Sequence, residues 1–175
     1  MIIAETENFR LRQLVPDDDR RLFEICSDPE TWRFMGAGPA SITEVRAGIE
    51  RQISDYYGRV GYGLWGIEQK YDRRLVGRCG IFLQTLDGLP RPELSYVVDR
   101  TFWGRGIATE AAKCAIALAA ARYGISSLIA VIADGNAASI RVAENCGFTI
   151  SRQLSAFKDF GPVRVYSLEL SKGGC

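Results

Sequence analysis

The stretch Arg100-Thr-Phe-Trp-Gly104-Arg-Gly106-Ile-Ala-Thr-Glu110-Ala decides the reading of the fold. Before it stands Glu93-Leu-Ser-Tyr-Val-Val98, a run of strand character. After it, an alanine-rich segment reads as a helix to Arg122 and stops at Gly124. Two glycines one residue apart permit positive φ and let a ligand approach the backbone. The first amides of the helix they open have no partner within it and lie at its positive dipole end. A strand, a Gly-x-Gly turn and a helix therefore make a site for a phosphate or pyrophosphate. Gly104 and Gly106 give room, and Arg105, Ile107, Ala108 and Thr109 supply donors. A Walker loop would need Lys-Ser/Thr after the second glycine, where Ile107 stands. A Rossmann fingerprint would need a third glycine, where Thr109 stands, although Asp134 could imitate its ribose-binding acid. A plain helix-entry turn also fits the loop taken alone.

Leu128 to Ala133 reads as the next strand, and Asn136-Ala-Ala-Ser139-Ile-Arg-Val-Ala-Glu-Asn-Cys-Gly147-Phe148 follows it. Asn136 is placed to cap a short helix over 137–145 and Gly147 to end it. Toward the N-terminus, Phe9 to Val15 alternates as a strand. Pro16 and three aspartates start a helix that runs to about Cys26 and stops before Pro29. Ser41 and Glu44 form a capping box for a second helix, with apolar Ile42, Val45, Ile49, Ile53 and Tyr56 at helical spacing. Tyr62 to Ile67 and Leu75 to Leu83 read as strands joined by a turn at Tyr71-Asp72-Arg73, with a loop over Leu86 to Pro90. Phe148 to Phe157 and Val163 to Leu170 close the chain as strands. Adjacent strands point to antiparallel pairing, and the step from Glu93 to Ala133 to one right-handed parallel crossover. The expectation is an α+β fold on a mixed, mostly antiparallel sheet of about seven strands, as one domain over residues 1–175.

Composition excludes more than it identifies. The 175 residues carry 22 Lys+Arg against 21 Asp+Glu, a net charge of +1 without the basic excess of a nucleic-acid or anionic-membrane binder. No apolar run approaches the ~18–20 residues of a membrane span, and an acid at Glu5 argues against a signal peptide. Histidine is absent, which removes Ser-His and Cys-His pairs, His-ligated metals and a His general base. Cys26, Cys79, Cys114, Cys146 and Cys175 are scattered and odd in number, as buried thiols of a cytoplasmic protein would be, with no metal site expected.

The succession strand, Gly-x-Gly, helix, strand, Asn-x-x-Ser, helix, Gly-Phe is a compound signal. It resembles the GNAT superfamily of acetyl-CoA-dependent N-acetyltransferases. Trp103-Gly-Arg-Gly-Ile-Ala-Thr-Glu-Ala111 and Asn136-x-x-Ser139 are similar to the branch of ribosomal-protein N-terminal alanine/serine acetyltransferases, the RimJ/RimL type. The resemblance implies a sheet with helices on both faces, splayed between its fourth and fifth strands. It implies acetyl transfer to a primary amine, on a protein N-terminus or a small molecule, by direct attack in a ternary complex. A monomer or homodimer is expected.

By the same resemblance, the free backbone of Tyr96, Val97 and Val98 would bind the pantetheine arm of acetyl-CoA like an added strand. An amide of that strand would polarise the thioester carbonyl. Gly104, Arg105, Gly106, Ile107, Ala108 and Thr109 would hold the pyrophosphate. Asn136 would bond the pantetheine, Ser139 would sit near the sulfur, and Asn145 would lie near the cofactor. Thr101 occupies the place of the family's usual Gln/Arg, and Ala143 the place of a frequent Tyr acid. That leaves Ser139 to protonate or hydrogen-bond the leaving thiolate, and Glu93 as base, directly or through water. The acceptor side falls on Trp32, Phe34 and Met35 and on the segment Lys158 to Arg164. A non-catalytic acyl-CoA-binding module, or a nucleotide-binding oxidoreductase resting on Gly-x-Gly and Asp134, are the alternatives.

Overall fold

A computed structural model describes residues 1–36 and 38–170; Cys175 lies outside them. Eight strands form one sheet: β1 (Ile2–Glu5), β2 (Phe9–Arg12), β3 (Leu64–Gln69), β4 (Leu75–Leu86), β5 (Leu89–Val98), β6 (Ser127–Ala133), β7 (Thr149–Leu154) and β8 (Val163–Glu169). Their spatial order is β1-β2-β3-β4-β5-β6-β8-β7, antiparallel throughout except for the parallel pair β5/β6. The expected α+β sheet is present, with one strand more than expected. The addition is β1, which pairs with β2 through a turn where the Phe9 amide donates to the Thr6 hydroxyl at 3.0 Å.

Five helices cover the sheet: α1 (Asp19–Ser27), α2 (Pro29–Trp32), α3 (Ile42–Arg51), α4 (Ile107–Ala121) and α5 (Ala137–Asn145). Pro29 does end α1, but it also opens α2, because Asp28 caps the Glu30 amide at 3.0 Å and a proline fits a first helical turn. The second long helix departs from its expected form: after α3 the chain widens into a π-helical segment, Gln52–Val60, ended by Gly61 at φ +87°. The expected loop at Leu86 to Pro90 is instead a tight hairpin. Asp87 and Gly88 take φ of 52° and 76°, a backbone that matches strand twist, so β4 and β5 pair to their ends.

Two cores lie on opposite faces. Ala111, Ala112, Ala115 and Ala119 of α4 pack with Leu94, Val98, Cys79 and Ile81 on one face. Alanines let the helix axis lie close to the sheet. Leu14, Leu22, Ile25, Val45 and Ile49 pack with Leu75 and Val97 on the other. Residues of β5 therefore alternate, with Leu94, Tyr96 and Val98 toward α4 and Glu93, Ser95 and Val97 toward α1 and α3. The β4/β5 seam holds ten residue pairs, while β5 and β6 share one, Glu93 with Ile129. The sheet thus splays along β5 beyond Glu93, between the expected strands.

Candidate active site

The register of β4 on β5 sets which backbone groups face the splay. Val98 is opposite Gly77, and the Asp99 amide donates to the Val76 carbonyl at 2.8 Å. Val98 is then in a non-hydrogen-bonded pair, so its own N–H and C=O point away from β4, as do those of Tyr96 two residues back. Val97 is the exception among the three expected residues: its polar groups are directed into the β4 ladder. The Val98 carbonyl is also occupied, by the indole N–H of Trp103 at 2.8 Å. The open edge therefore offers both polar groups of Tyr96 and the N–H of Val98.

The loop beyond this edge is built for an anion. Asp99 caps the turn after β5, accepting from the Thr101 amide and hydroxyl at 2.8 and 2.7 Å. That engagement accounts for Thr101, which serves the turn. Gly104 and Gly106 take φ of 75° and 77°, and a Cβ at either would meet nothing within 4 Å. The first α-helical bond of α4 runs from the Glu110 amide to the Gly106 carbonyl at 3.0 Å, and no side chain caps the helix. The amides of Ile107, Ala108 and Thr109 are accordingly free at a helix N-terminus. The Arg105 guanidinium stacks over Phe102 at 5.0 Å, beside these donors.

A cavity opens where the seam splays, and Glu93, Tyr96, Asn136 and Ser139 all line it. The buried Glu93 carboxylate wedges between the strands. Its Oε1 accepts from the Val131 amide at 3.3 Å, while Oε2 is buried without a hydrogen-bond partner. Loss of solvent outweighs the hydrogen bond from Val131 and pushes its pKa up to about 7. Asn136 caps α5 by accepting from the Ser139 amide at 3.1 Å. The Tyr96 hydroxyl donates to the Ser139 carbonyl at 3.2 Å and ties β5 to the first turn of α5. Burial holds that phenol above its ordinary pKa, so it stays protonated.

Trp32, Phe34 and Met35, the residues expected on the acceptor side, line the same cavity. Phe160 and Val163 of the expected acceptor segment also line it, and so do Phe82, Gln84 and Phe157, which were not singled out in sequence because only long-range pairing brings them there. Lys158, in the expected acceptor segment, donates to the Gln84 side chain at 2.5 Å. Asn145 stands apart from the cavity, at the far end of α5. There the neighbouring Cys146 thiol lies 4.0 Å from the Thr109 carbonyl in the first turn of α4. Arg33 and Arg164 pair with Glu30 at 3.6 Å and Asp134 at 2.7 Å. Asp134 is thereby engaged at the surface, which removes the one support for a ribose-binding acid. Cys26 and Cys79 are buried, and burial raises the thiols of Cys26, Cys79, Cys114 and Cys146 away from reactivity.

A splayed parallel seam with an uncapped glycine-turn helix beside it is the arrangement that the resemblance to acetyl-CoA-dependent N-acetyltransferases implies. Residues 8–149 match the acetyltransferase (GNAT) domain family, and the chain belongs to that family. Among relatives, it is 30% identical over 164 residues to the uncharacterized protein YkkB of Bacillus subtilis, covering 92% of each chain. It is 29% identical over 147 residues to the uncharacterized N-acetyltransferase YoaA of the same organism, covering 83% of this chain and 82% of that one. The fold matches RimL, a ribosomal L7/L12 α-N-protein acetyltransferase solved with coenzyme A, at TM-score 0.79 and 18% identity over 98% and 99% of the two chains. It also matches a GNAT-family acetyltransferase from Bacillus anthracis at TM-score 0.79 and 18% identity, over 97% and 98%. The protein is an acyltransferase of the N-acetyltransferase class.

Proposed function

We propose that the protein transfers the acetyl group of acetyl-CoA directly to a primary amine held in the Glu93 cavity. The observation that carries this is the unpartnered Glu93 Oε2, buried in a cavity that the open edge of β5 and the N-terminus of α5 also line. The residues fit the donor. Gly104 and Gly106 leave open space at three free amides for a pyrophosphate, and Tyr96 and Val98 present strand-edge groups to an extended pantetheine. When bound, acetyl-CoA supplies an already activated thioester, so the chain needs neither a metal nor a covalent nucleophile.

What remains for the protein is orientation and one proton. Glu93, ionised above about pH 7, accepts it from the amine. A peptide α-amine, with pKa ~7.7–8.0, is nearly matched to that base, while a lysine side chain at ~10.4 is far from it. The Ser139 hydroxyl hydrogen-bonds or protonates the departing thiolate. Aromatic walls from Trp32, Phe34 and Phe157 exclude water around the amine. The acceptor is thus an amine of modest pKa, on a protein N-terminus or a small molecule. The test is mass spectrometry of N-terminal peptides and polyamines incubated with the protein and acetyl-CoA. Acetylated α-amines are expected in excess over ε-amines. Acetyl-CoA binding without any acetylated acceptor would overturn the reading.

A further inference from the structure

A second cavity lies on the same face of the sheet, under α1 and α3, and it is separate from the seam. One side of it is apolar, from Leu14, Leu22, Val45 and Ile49, and Glu44, Arg51, Gln52 and Arg78 make the rest of the wall polar. Two polar groups in that wall are orphaned: the Nε of Arg78 and the Nε1 of Trp32 are both buried without a hydrogen-bond partner. Both are donors. The Trp32 indole lies beside the Cys26 thiol, which also lines this cavity and offers its N–H only a weak sulfur acceptor. Among the described residues Arg78 joins no ion pair, unlike Arg12 in the same row of the sheet, which is bound by Asp18 and Glu68 at 2.7 and 2.6 Å. The one carboxylate in the wall, Glu44, accepts from the Ala40 amide at 2.8 Å.

Buried donors left unpaired cost free energy, and a cationic one costs most. The half-buried Arg78 guanidinium and the Trp32 indole, on a cavity with an apolar side, describe the complement of an anion with a hydrocarbon body. We propose that this cavity binds a carboxylate on an apolar chain, held by the Arg78 guanidinium and the Trp32 indole. Trp32 also walls the Glu93 cavity, so an occupant here fixes one wall of the acceptor site. Arg78 lies four residues along β4 from Phe82, the partner of Glu93, about 13 Å away. The carboxylate therefore belongs either to the far end of an extended acceptor or to a separate molecule.

The test uses the full chain, hexanoate as probe and hexanamide as its neutral counterpart. Three indole N–H signals are expected in a nitrogen-15 spectrum, and Trp32→Phe assigns one of them. Hexanoate should shift that signal saturably, hexanamide at least tenfold more weakly, and Arg78→Met should abolish the response. An absent shift, an equal response to the amide, or a response that survives Arg78→Met overturns the proposal. Without probe, Arg78→Met should melt at or above the temperature of the wild type; a fall beyond about 4 °C would show a guanidinium already held by the protein and also overturn it. None of these readouts needs acetyl transfer, so failure of the proposed function leaves them intact. In an acetylation assay, hexanoate raising KM alone identifies the acceptor's own tail, and hexanoate changing kcat a separate ligand; each is an outcome the site supports.

Discussion

The two seams of β5 carry opposite designs. On its β4 side the strand runs antiparallel through ten consecutive pairs, from Leu86 with Leu89 to Gly77 with Val98. On its β6 side it runs parallel and touches at a single pair. The first seam spends its backbone groups on the sheet and is filled by close contact. The second leaves Tyr96 and the Val98 N–H unpaired, inserts a buried carboxylate between the strands, and has the N-terminus of α5 at the cavity and the uncapped α4 just beyond the strand's end. A parallel crossover brings helix starts to the strand ends, so the open seam collects dipole ends that the closed seam cannot.

The comparison is broken most severely from the closed side. A Cβ on Gly77 would stand 2.2 Å from the Val97 carbonyl, a backbone atom that cannot move without parting the strands. Gly77→Ala should cost about 3 kcal/mol or more, read as a large fall in the urea midpoint or as insoluble expression. On the open side, glycine has the opposite role. Gly106 has nothing near its missing Cβ, so Gly106→Glu meets no clash but adds strain at φ +77° and a negative charge at the free amides. Coenzyme A affinity by calorimetry should fall at least about a hundredfold, close to 2.7 kcal/mol, with the fold retained. Unchanged affinity would remove this loop from the donor site.

The wedge between the strands gives a two-sided test. Glu93→Gln should lower kcat by about a hundredfold and remove the limb that rises toward pH 7 in the wild type. Stability should move the other way. The folded pKa of about 7 exceeds the ordinary 4.5, so the native state keeps a proton that the unfolded chain gives up. Wild-type stability then falls as pH rises from about 4.5 to about 7 and is level above. At pH 8 the glutamine variant should be more stable by up to about 3 kcal/mol, and at pH 4 it should match the wild type. Equal melting at both pH values would mean that Glu93 is solvated and that no buried carboxylate stands between the strands. A smaller effect is expected at α5. Ser139→Ala should reduce kcat about tenfold, with coenzyme A affinity changed less, since Asn136 still caps the helix through the residue 139 amide.

These residues were not equally legible before folding. Gly104, Gly106, Asn136 and Ser139 announce themselves because turn and cap chemistry is local, acting within three or four residues. The element order and the single parallel crossover followed from the same elements, but the insertion of β8 between β6 and β7 did not. What distinguishes Val97 from Tyr96 and Val98 is the phase of the β4 pairing, which no residue within β5 encodes. The role of Glu93 could be guessed from its type, but its orphaned oxygen depends on how far β6 stands away. Phe157 and Gln84 reach the cavity through register between distant strands, and β1 went unread because four residues of edge strand carry almost no periodic signal. Local physics marked the open seam's rim, and long-range pairing decided its interior.

The smallest test concerns the one backbone group of the open seam that is already closed. Trp103 is about half exposed, yet its indole N–H reaches back to the Val98 carbonyl at 2.8 Å. Trp103→Phe keeps a ring at the loop and deletes the donor. Solvent can reach the freed carbonyl at this rim, so the stability loss should be about 1 kcal/mol or less. For coenzyme A two effects oppose. The loop between β5 and α4 loses a tether, which weakens binding, while Val98 regains an acceptor that an added strand could use. If the tether governs, affinity drops up to about threefold, near 0.6 kcal/mol, and this is the expected result because the helix amides beyond the loop depend on its placement. Tighter binding in Trp103→Phe would instead show that the indole competes with the ligand for β5, and that the open seam is one hydrogen bond more closed than its chemistry requires.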